Sequence, residues 1–150
     1  MDVMVIHGPN LNLLGQRKIE IYGNQSLDYI NGEILEYGKK NGFKIEIYQT
    51  NSEGEIIDLL HRAGRECQGV VLNPGAYTHY SYAIGDAVEA IDIPVVEVHI
   101  SNIYSREEFR RKSVIAPYSA GQITGFGPFG YILALEALKN IGGGKKYGKD

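Results

Sequence analysis

Short apolar runs alternate along the chain with longer segments in which apolar residues recur every three or four positions. The short runs predict five β-strands, and the longer segments predict the helices that separate them. We place the strands at residues 2–7, 44–49, 69–72, 95–99 and 121–124. Because strands and helices alternate with the spacing of βαβ units, we expect the α/β class, with a parallel sheet covered by helices on both faces.

Capping residues mark the predicted helix boundaries. The first long helix is predicted over residues 27–41, with Ser26 as its N-cap and Gly42 just beyond its end. Two further helices are predicted from a capping-box pattern, a serine followed three residues later by a glutamate: Ser52 with Glu55, and Ser105 with Glu108. The remaining helices are expected at residues 81–91 and from Pro128.

Five parallel strands in so short a chain favour a flavodoxin-like three-layer fold with the strand order 2-1-3-4-5. In open sheets of this kind, ligands bind outside the carboxyl ends of the strands, at the switch point between strands one and three. Three polar clusters follow strands one, three and four, at residues 8–23, 73–79 and 97–101. We therefore expect one shared site at this edge of the sheet.

Length and composition narrow the class of protein. The 150 residues suit one domain, which we place at residues 1–141, followed by a flexible tail at 142–150. A net charge of −3, with no basic run before the tail, argues against a nucleic-acid partner. The single cysteine and the lack of a secretory signal pattern predict a cytoplasmic protein. No apolar stretch approaches the roughly 20 residues that span a bilayer, so we expect no membrane partner.

Several kinds of cofactor chemistry lack their usual motif in this sequence. The four histidines show no HExxH spacing and there is one cysteine, so we expect no metal. Neither GxGxxG nor GxxxxGK[ST] follows strand one, which disfavours a nucleotide. Lys18 is the only lysine near a predicted strand end, and its place in a loop disfavours Schiff-base catalysis. We expect no cofactor.

The loop after strand one is the best indication of function in the sequence. Residues 8–23 bring Asn10, Asn12, Arg17 and Tyr22 into one glycine-punctuated segment. An arginine five residues before a tyrosine offers a guanidinium that stabilises a phenolate. The pattern therefore favours base chemistry at the sheet edge.

Six segments carry a resemblance to a known family. They are GPNLNLLGQRKIEIYG at 8–23, NPGAYTH at 73–79, EVHISN at 97–102, REEFR at 106–110, SVIAP at 113–117 and GQITGFGPFGYILALEAL at 121–138. With these motifs in order over nearly the whole domain, the chain closely resembles type II 3-dehydroquinate dehydratase. The resemblance implies a hydro-lyase that converts 3-dehydroquinate to 3-dehydroshikimate by trans-elimination of water through an enolate, without a cofactor.

The resemblance makes Tyr22 the base that removes the proton α to the ketone. A free tyrosine has a pKa of about 10, so about one part in a thousand is ionised at pH 7, which corresponds to roughly 4 kcal/mol of barrier. Positive charge nearby must reduce this barrier, and we rank Arg17 first and Arg106 second as its source. Asn12 is implied to position the water that stabilises the enolate oxygen.

His99 is implied as the general acid that protonates the leaving hydroxyl. Glu97 lies two residues earlier on the same strand and therefore on the same face, so we expect a hydrogen-bonded pair. A carboxylate beside an imidazole favours the protonated ring and fixes its orientation.

The remaining polar groups are implied to hold the substrate. The backbone amides of Ile100 and Ser101, with the Asn73 side chain beside them, match the positions that take the carboxylate. Three further side chains match positions that contact the ring hydroxyls and the carboxylate: His79, Asp86 and Arg110. Because the individual signals are weak, these assignments depend on the joint order of the motifs.

One departure from the family pattern lies in the lid, the part of the loop at residues 8–23 that the resemblance implies brings Arg17 over the substrate. The family commonly carries Glu-Pro after the arginine, whereas this chain has Lys18 and Ile19. Losing the proline frees a backbone torsion, so we expect a lid that is more mobile or closes differently. The reaction class should not change.

The resemblance also implies a homododecamer of four trimers, in which Asp86 reaches a neighbouring subunit's site. It places the reaction in the shikimate pathway of aromatic amino acid biosynthesis, although catabolism of quinate would use the same reaction. Two alternatives from other classes stay open: a non-catalytic binding module for a cyclic polyhydroxy acid, and a flavin-binding carrier. The carrier is disfavoured because no Ser/Thr-rich phosphate loop follows strand one.

Overall fold

The structure is a computed structural model that describes residues 1–16 and 18–142. Arg17, which we expect beside Tyr22, lies outside the described residues, as do residues 143–150 of the predicted tail. The division of the chain into a domain and a flexible tail therefore stays a prediction.

One five-stranded sheet runs through the described part of the chain, with every neighbouring pair parallel and the order β2-β1-β3-β4-β5. The strands are β1 (Asp2–His7), β2 (Lys44–Gln49), β3 (Gly69–Asn73), β4 (Val95–His99) and β5 (Gly121–Thr124). The predicted class and strand order are confirmed, and β3 is one residue longer than predicted. The three central strands are almost entirely buried, as expected for a parallel sheet covered on both faces.

The described residues form five α-helices and several 3₁₀ turns. The helices are α1 (Ile19–Tyr22), α2 (Leu27–Lys40), α3 (Glu53–Glu66), α4 (Tyr82–Ala90) and α5 (Phe129–Ile141). The 3₁₀ turns are Leu11–Leu13, Gly75–His79, Ile103–Ser105, Glu108–Arg111 and Ala116–Tyr118. Helix α1 is not predicted by the sequence pattern, because four residues are too few to show a period. None of the helices in residues 1–16 and 18–142 has the length and apolar character needed to cross a membrane.

Alternate residues of β1 face opposite sides of the sheet and fill two separate cores. Met4 and Ile6 pack with α3 and α4 on one side. Val3 and Val5 pack with α2 and α5 on the other side. This arrangement gives three layers and holds the strand ends on a rigid base.

Two of the predicted helix caps form as expected. The Ser26 hydroxyl accepts a hydrogen bond from the Tyr29 N–H at 3.1 Å, and the Ser52 hydroxyl accepts one from the Glu55 N–H at 3.2 Å. The reciprocal half of the capping box is absent at Ser52, because the Glu55 carboxylate accepts from the Thr50 hydroxyl instead.

The capping box predicted at Ser105 and Glu108 is wrong. The Ser105 hydroxyl turns back and donates to the carbonyl oxygen of Asn102 at 2.8 Å, so it does not cap a following helix. Two short 3₁₀ turns replace the predicted helix here, and Arg106 between them is extended. The segment is too short to bury an apolar face, which most helices need for stability.

The ends of β1 and β3 meet closely at Gly8. Its N–H donates to the carbonyl oxygen of Asn73 at 2.7 Å. A β-carbon at this position would lie 2.8 Å from that oxygen and 2.8 Å from the carbonyl carbon of Pro74. The two chain segments therefore pass each other at the switch point with no room for a side chain.

Candidate active site

A cleft opens at the carboxyl ends of β1, β3 and β4, where the sequence predicts the site. Several predicted site residues line it: Tyr22, Asn73, His79, His99, Ile100, Ser101 and Arg110. A wider opening of about 630 Å³ adjoins it and shares Tyr22, Ile100, Ser101 and Arg106. The three polar clusters thus meet at one edge of the sheet.

Glu97 and His99 form a buried pair in one wall of the cleft. The Nε2 atom of His99 lies 2.6 Å from Oε2 of Glu97, and the two side chains are 6% and 0% exposed. Burial by itself raises the pKa of Glu97, but the hydrogen bond and the charge of His99 outweigh it and hold that pKa below its ordinary value. Because Nε2 is engaged by the carboxylate, Nδ1 is the ring nitrogen left for a ligand.

Other donors surround the Glu97 carboxylate. Hydroxyl groups of Thr78 and Ser113 donate to it, the latter at 3.0 Å, and the Gln122 side-chain amide donates at 3.2 Å. Gln122 is the register partner of Glu97 in the β4–β5 ladder, so the sheet itself places this donor. The buried charge is therefore well satisfied, as a buried carboxylate requires.

Tyr22 and Arg106 form the opposite wall. Tyr22 is the last residue of α1, and its phenolic oxygen accepts a hydrogen bond from Nη1 of Arg106 at 2.8 Å. The guanidinium carbon lies 5.2 Å from the centroid of the Tyr22 ring, and the Arg106 side chain is 10% exposed. A poorly solvated cation thus touches the predicted base. The ranking of Arg17 above Arg106 stays a prediction, since Arg17 lies outside the described residues.

The helix that carries Tyr22 contacts the rest of the molecule mainly through Tyr22 itself, which is half-buried against the core. None of the residues of α1 is buried, and Ile19 is 52% exposed. Its N-cap, Lys18, adopts a left-handed backbone with φ of 38°, which is uncommon for a residue other than glycine. Lys18 and Ile19 occupy the positions where the sequence departs from the family pattern, so the departure falls on this helix start.

The segment that follows β4 is held in place through its carbonyl groups. The carbonyl oxygen of Ile100 accepts from the Gly127 N–H at 3.0 Å, and that of Ser101 accepts from the Thr124 hydroxyl at 2.9 Å. The Ser101 hydroxyl also accepts from Arg106 at 3.4 Å. The peptide planes of this segment are therefore fixed by Thr124 at the end of β5 and by Gly127 just after it.

His79 and Arg110 lie at the rim of the cleft. Nδ1 of His79 lies 2.8 Å from the carbonyl oxygen of Lys112, so this nitrogen carries the proton and Nε2 is an acceptor. Burial is the main cause that lowers the pKa of His79, which keeps the ring neutral near pH 7. The Arg110 guanidinium donates to Glu107 at 2.9 Å and stacks on Phe109 at 4.7 Å.

Two predicted site residues lie away from the cleft. Asn12 is exposed on a 3₁₀ turn, where its side-chain oxygen is 3.5 Å from Nε2 of Gln49, and the neighbouring Asn10 lines the cleft instead. Asp86 is exposed on α4 and lines a separate groove with Tyr82 and other residues. Within one chain, the structure does not bring either residue to Tyr22 or His99.

Sequence reasoning missed several residues that hold Glu97 and Asn73 in place. Thr78, Ser113 and Gln122 around Glu97 were not predicted, nor was Tyr131, whose hydroxyl accepts from the Asn73 side chain at 3.0 Å. A usable signal existed for Gln122, because it is a polar residue in a strand predicted to pair with the strand that carries Glu97. Contacts made through loops and helices have no such signal.

Comparison with known proteins gives a consistent family. The family model described as Dehydroquinase class II matches residues 1–139. A protein of Pelotomaculum thermopropionicum named 3-dehydroquinate dehydratase is 57% identical over 143 residues, covering 95% of this chain and 99% of that protein.

Solved structures agree with the sequence comparison. A type II dehydroquinase from Butyrivibrio crossotus matches with a TM-score of 0.92 at 50% identity, covering 93% of this chain and 97% of that one. A type II dehydroquinase from Propionibacterium acnes matches with a TM-score of 0.90 at 42% identity, covering 93% and 96%. The chain belongs to the class II dehydroquinase family.

Proposed function

We propose that this chain is a hydro-lyase that dehydrates 3-dehydroquinate to 3-dehydroshikimate. Its relatives in Pelotomaculum thermopropionicum and Agrobacterium fabrum are named for this reaction, at 57% and 55% identity. The observation that carries the proposal is a phenol in contact with a cation across one cleft from a buried imidazole–carboxylate pair. Such an arrangement supplies both a base and an acid for an elimination.

In the first step, Tyr22 acts as the base. Its phenolate removes a proton from the carbon α to the ketone, and the electron pair of that C–H bond moves into an enolate. The Arg106 guanidinium, in hydrogen-bond contact with the phenolic oxygen, favours the anionic base, and Arg17 is proposed to add to this field. Asn12 is proposed to hold the water that stabilises the enolate oxygen.

In the second step, His99 acts as the acid. The enolate collapses, the C–O bond to the leaving hydroxyl breaks, and the hydroxyl takes a proton from Nδ1 of His99 and departs as water. Glu97 holds Nε2 of the same ring, so it orients the imidazole for the transfer. The proton on Tyr22 must then return to His99 through the cleft to complete the cycle.

Binding of the substrate falls to the groups between the two walls. We assign the carboxylate to the backbone N–H groups of Ile100 and Ser101 and to the Asn73 side chain, which lines the cleft. His79, through its acceptor nitrogen, and Arg110 are assigned to the ring hydroxyls and the carboxylate. No step in this scheme requires a metal or an organic cofactor.

We also propose cytoplasmic residence, a role in the shikimate pathway and a homododecamer of four trimers, following the family resemblance. Asp86 is exposed on α4 and lines a groove with the exposed aromatic side chain of Tyr82, which suits a residue that reaches a neighbouring subunit. Light scattering after size exclusion tests the assembly, and a mass near that of a single 16.6 kDa chain would contradict it.

The function is tested by mixing purified protein with 3-dehydroquinate and following the conjugated enone by ultraviolet absorbance. We expect product at the same rate with and without a chelator. Binding without turnover, measured by calorimetry, would instead select the non-catalytic binding module. A rate that falls with chelator would contradict the cofactor-free scheme.

A further inference from the structure

A row of four uncharged polar side chains, joined by hydrogen bonds, runs behind the cleft from helix α2 to Asn73. The Asn31 side-chain oxygen lies 2.8 Å from Nε2 of His7, and Nδ1 of His7 lies 3.0 Å from the Tyr131 hydroxyl. The same hydroxyl lies 3.0 Å from the side-chain nitrogen of Asn73. His7, Tyr131 and Asn73 are 0%, 0% and 3% exposed, so water does not compete for these bonds.

One backbone group fixes which atom donates and which accepts in every hydrogen bond of this row. The Gly75 N–H donates to the side-chain oxygen of Asn73 at 3.1 Å, which leaves the Asn73 nitrogen facing Tyr131. The Tyr131 oxygen therefore accepts from Asn73, and its own proton must go to Nδ1 of His7. His7 consequently carries its proton on Nε2 and donates it to Asn31.

The reverse arrangement would leave a buried donor unsatisfied. If Nδ1 of His7 carried the proton, the Tyr131 hydroxyl would receive two N–H groups, and its own proton would have no acceptor among the described residues. Burial lowers the pKa of His7 to about 4 and raises the pKa of Tyr131 above its ordinary value. All four side chains are thus neutral near pH 7, so their hydrogen bonds fix the orientation of the Asn73 amide without supplying a charge.

The geometry points to Tyr131 and His7 as positioning residues for substrate binding, which act by locking the Asn73 amide with one N–H directed at Tyr131. Among the described residues, the second N–H of that amide has no acceptor, and Asn73 lines the cleft. This inference rests on the proposed function, since the acceptor assigned to that N–H is the substrate carboxylate. His7 and Asn73 are register partners in the β1–β3 ladder, so the lock spans the switch point.

Tyr131→Phe tests the lock, because it removes one hydroxyl and keeps the ring. We expect KM for 3-dehydroquinate to rise about tenfold, the loss of roughly one hydrogen bond, with kcat within about twofold. Tyr37→Phe is the matched control: it also removes a hydroxyl that joins α2 to α5, where Tyr37 contacts Glu136, and it lies away from the cleft. Equal KM values in the two variants would overturn the inference.

A second pair of variants separates positioning from simple stability. His7→Leu removes the acceptor for Tyr131 and should raise KM by a similar factor, whereas His7→Asn keeps an acceptor near the position of Nδ1 and should restore KM to within about threefold of wild type. Thermal unfolding is measured for each variant. Loss of stability without a change in KM in His7→Leu would show a structural role alone and refute the proposal.

Failure of the proposed function is recognised separately. If wild-type protein does not turn over 3-dehydroquinate, the function is wrong, and neutron diffraction then decides on the lock. The expected nuclear density has hydrogen on Nε2 of His7 and none on Nδ1. Hydrogen on Nδ1 would contradict the inferred directions of these hydrogen bonds and would refute the proposal whatever the substrate is.

Discussion

The two walls of the cleft are built in different ways. The sheet wall carries Glu97, His99 and Asn73 on β3 and β4, where all three are buried and each is hydrogen-bonded to another side chain. The lid wall carries Tyr22 on a four-residue helix with no buried residue. The proposed acid is thus part of the core, whereas the proposed base lies on a short helix in which no residue is fully buried.

This difference predicts that the two walls affect stability and rate in different ways. Residues of the sheet wall are organised before substrate arrives, so they lose little entropy on binding but make the fold depend on buried polar groups. The lid wall contributes little to global stability and is free to adjust when substrate enters. Changes in the lid wall should therefore alter rate alone, and changes in the sheet wall should alter rate and stability together.

The largest expected effect comes from the lid wall. Tyr22→Phe should lower kcat by about a thousandfold or more, since it removes the proposed base, and the free energy of unfolding should change by less than about 0.5 kcal/mol. Steady-state kinetics and chemical denaturation measure the two quantities. Tyr29→Phe, at a tyrosine that is 54% exposed, is the control and should behave as wild type. Comparable turnover by Tyr22→Phe would remove the base from the mechanism.

A buried carboxylate tests the opposite wall. Glu97→Gln would place an amide N–H₂ among the donors Thr78, Ser113 and Gln122, so kcat should fall about a hundredfold and the free energy of unfolding by about 2–4 kcal/mol. Glu36→Gln, in an exposed pair with Lys40, should change the unfolding free energy by under about 0.5 kcal/mol. If Glu97→Gln lost activity with full stability, the claim that this wall couples the two would be wrong.

A loss of stability at low pH should come from His7, which lies on β1 behind the sheet wall. The pKa of His7 is about 4 in the folded protein against an ordinary value of 6.5, so the unfolded state binds the proton first as pH falls. The stabilisation is complete above pH 6.5 and is lost progressively down to pH 4, a loss of about 3 kcal/mol. Denaturation at pH 7 and pH 4.5 should show a clearly smaller loss in His7→Asn than in wild type. Parallel losses in the two proteins would exclude His7 as the source.

The smallest expected loss of rate comes from replacing the arginines proposed to act on Tyr22, and it distinguishes their contributions. Arg106→Lys keeps the charge but loses the planar guanidinium, so we expect kcat to fall about tenfold with unchanged stability. The exposed Arg111→Lys is the control from the next turn. Arg17→Lys, measured beside it, tests the predicted ranking, and a smaller loss in Arg17→Lys than in Arg106→Lys would reverse it.

Features governed by local period were predictable, and features made by distant contact were not. The strand positions and the caps at Ser26 and Ser52 follow from short patterns, and the strand order follows from chain length and parallel connections. The Glu97–His99 pair follows from spacing on one strand. The contact of Arg106 with Tyr22 joins residues 84 positions apart through turns that have no regular period, so no pattern indicates it.

The wrong cap prediction and two predictions that a single chain does not test have a related cause. A capping box at Ser105 requires a helix long enough to bury an apolar face, and this segment instead folds into two 3₁₀ turns. Asn12 and Asp86 match family motifs by position, yet their surroundings in a single chain are solvent and a separate groove. Motif order identifies residues, but it does not supply the partner that completes each of them.

The close crossing at Gly8 limits how this protein can vary. Because even a methyl group there would collide with the backbone of Asn73 and Pro74, any substitution must separate β1 from β3 beside the cleft. Substitutions should therefore be tolerated in the outer helix that carries Tyr22, whereas position 8 accommodates glycine alone. A library of variants selected for folding alone would recover the same glycine, although it performs no chemistry.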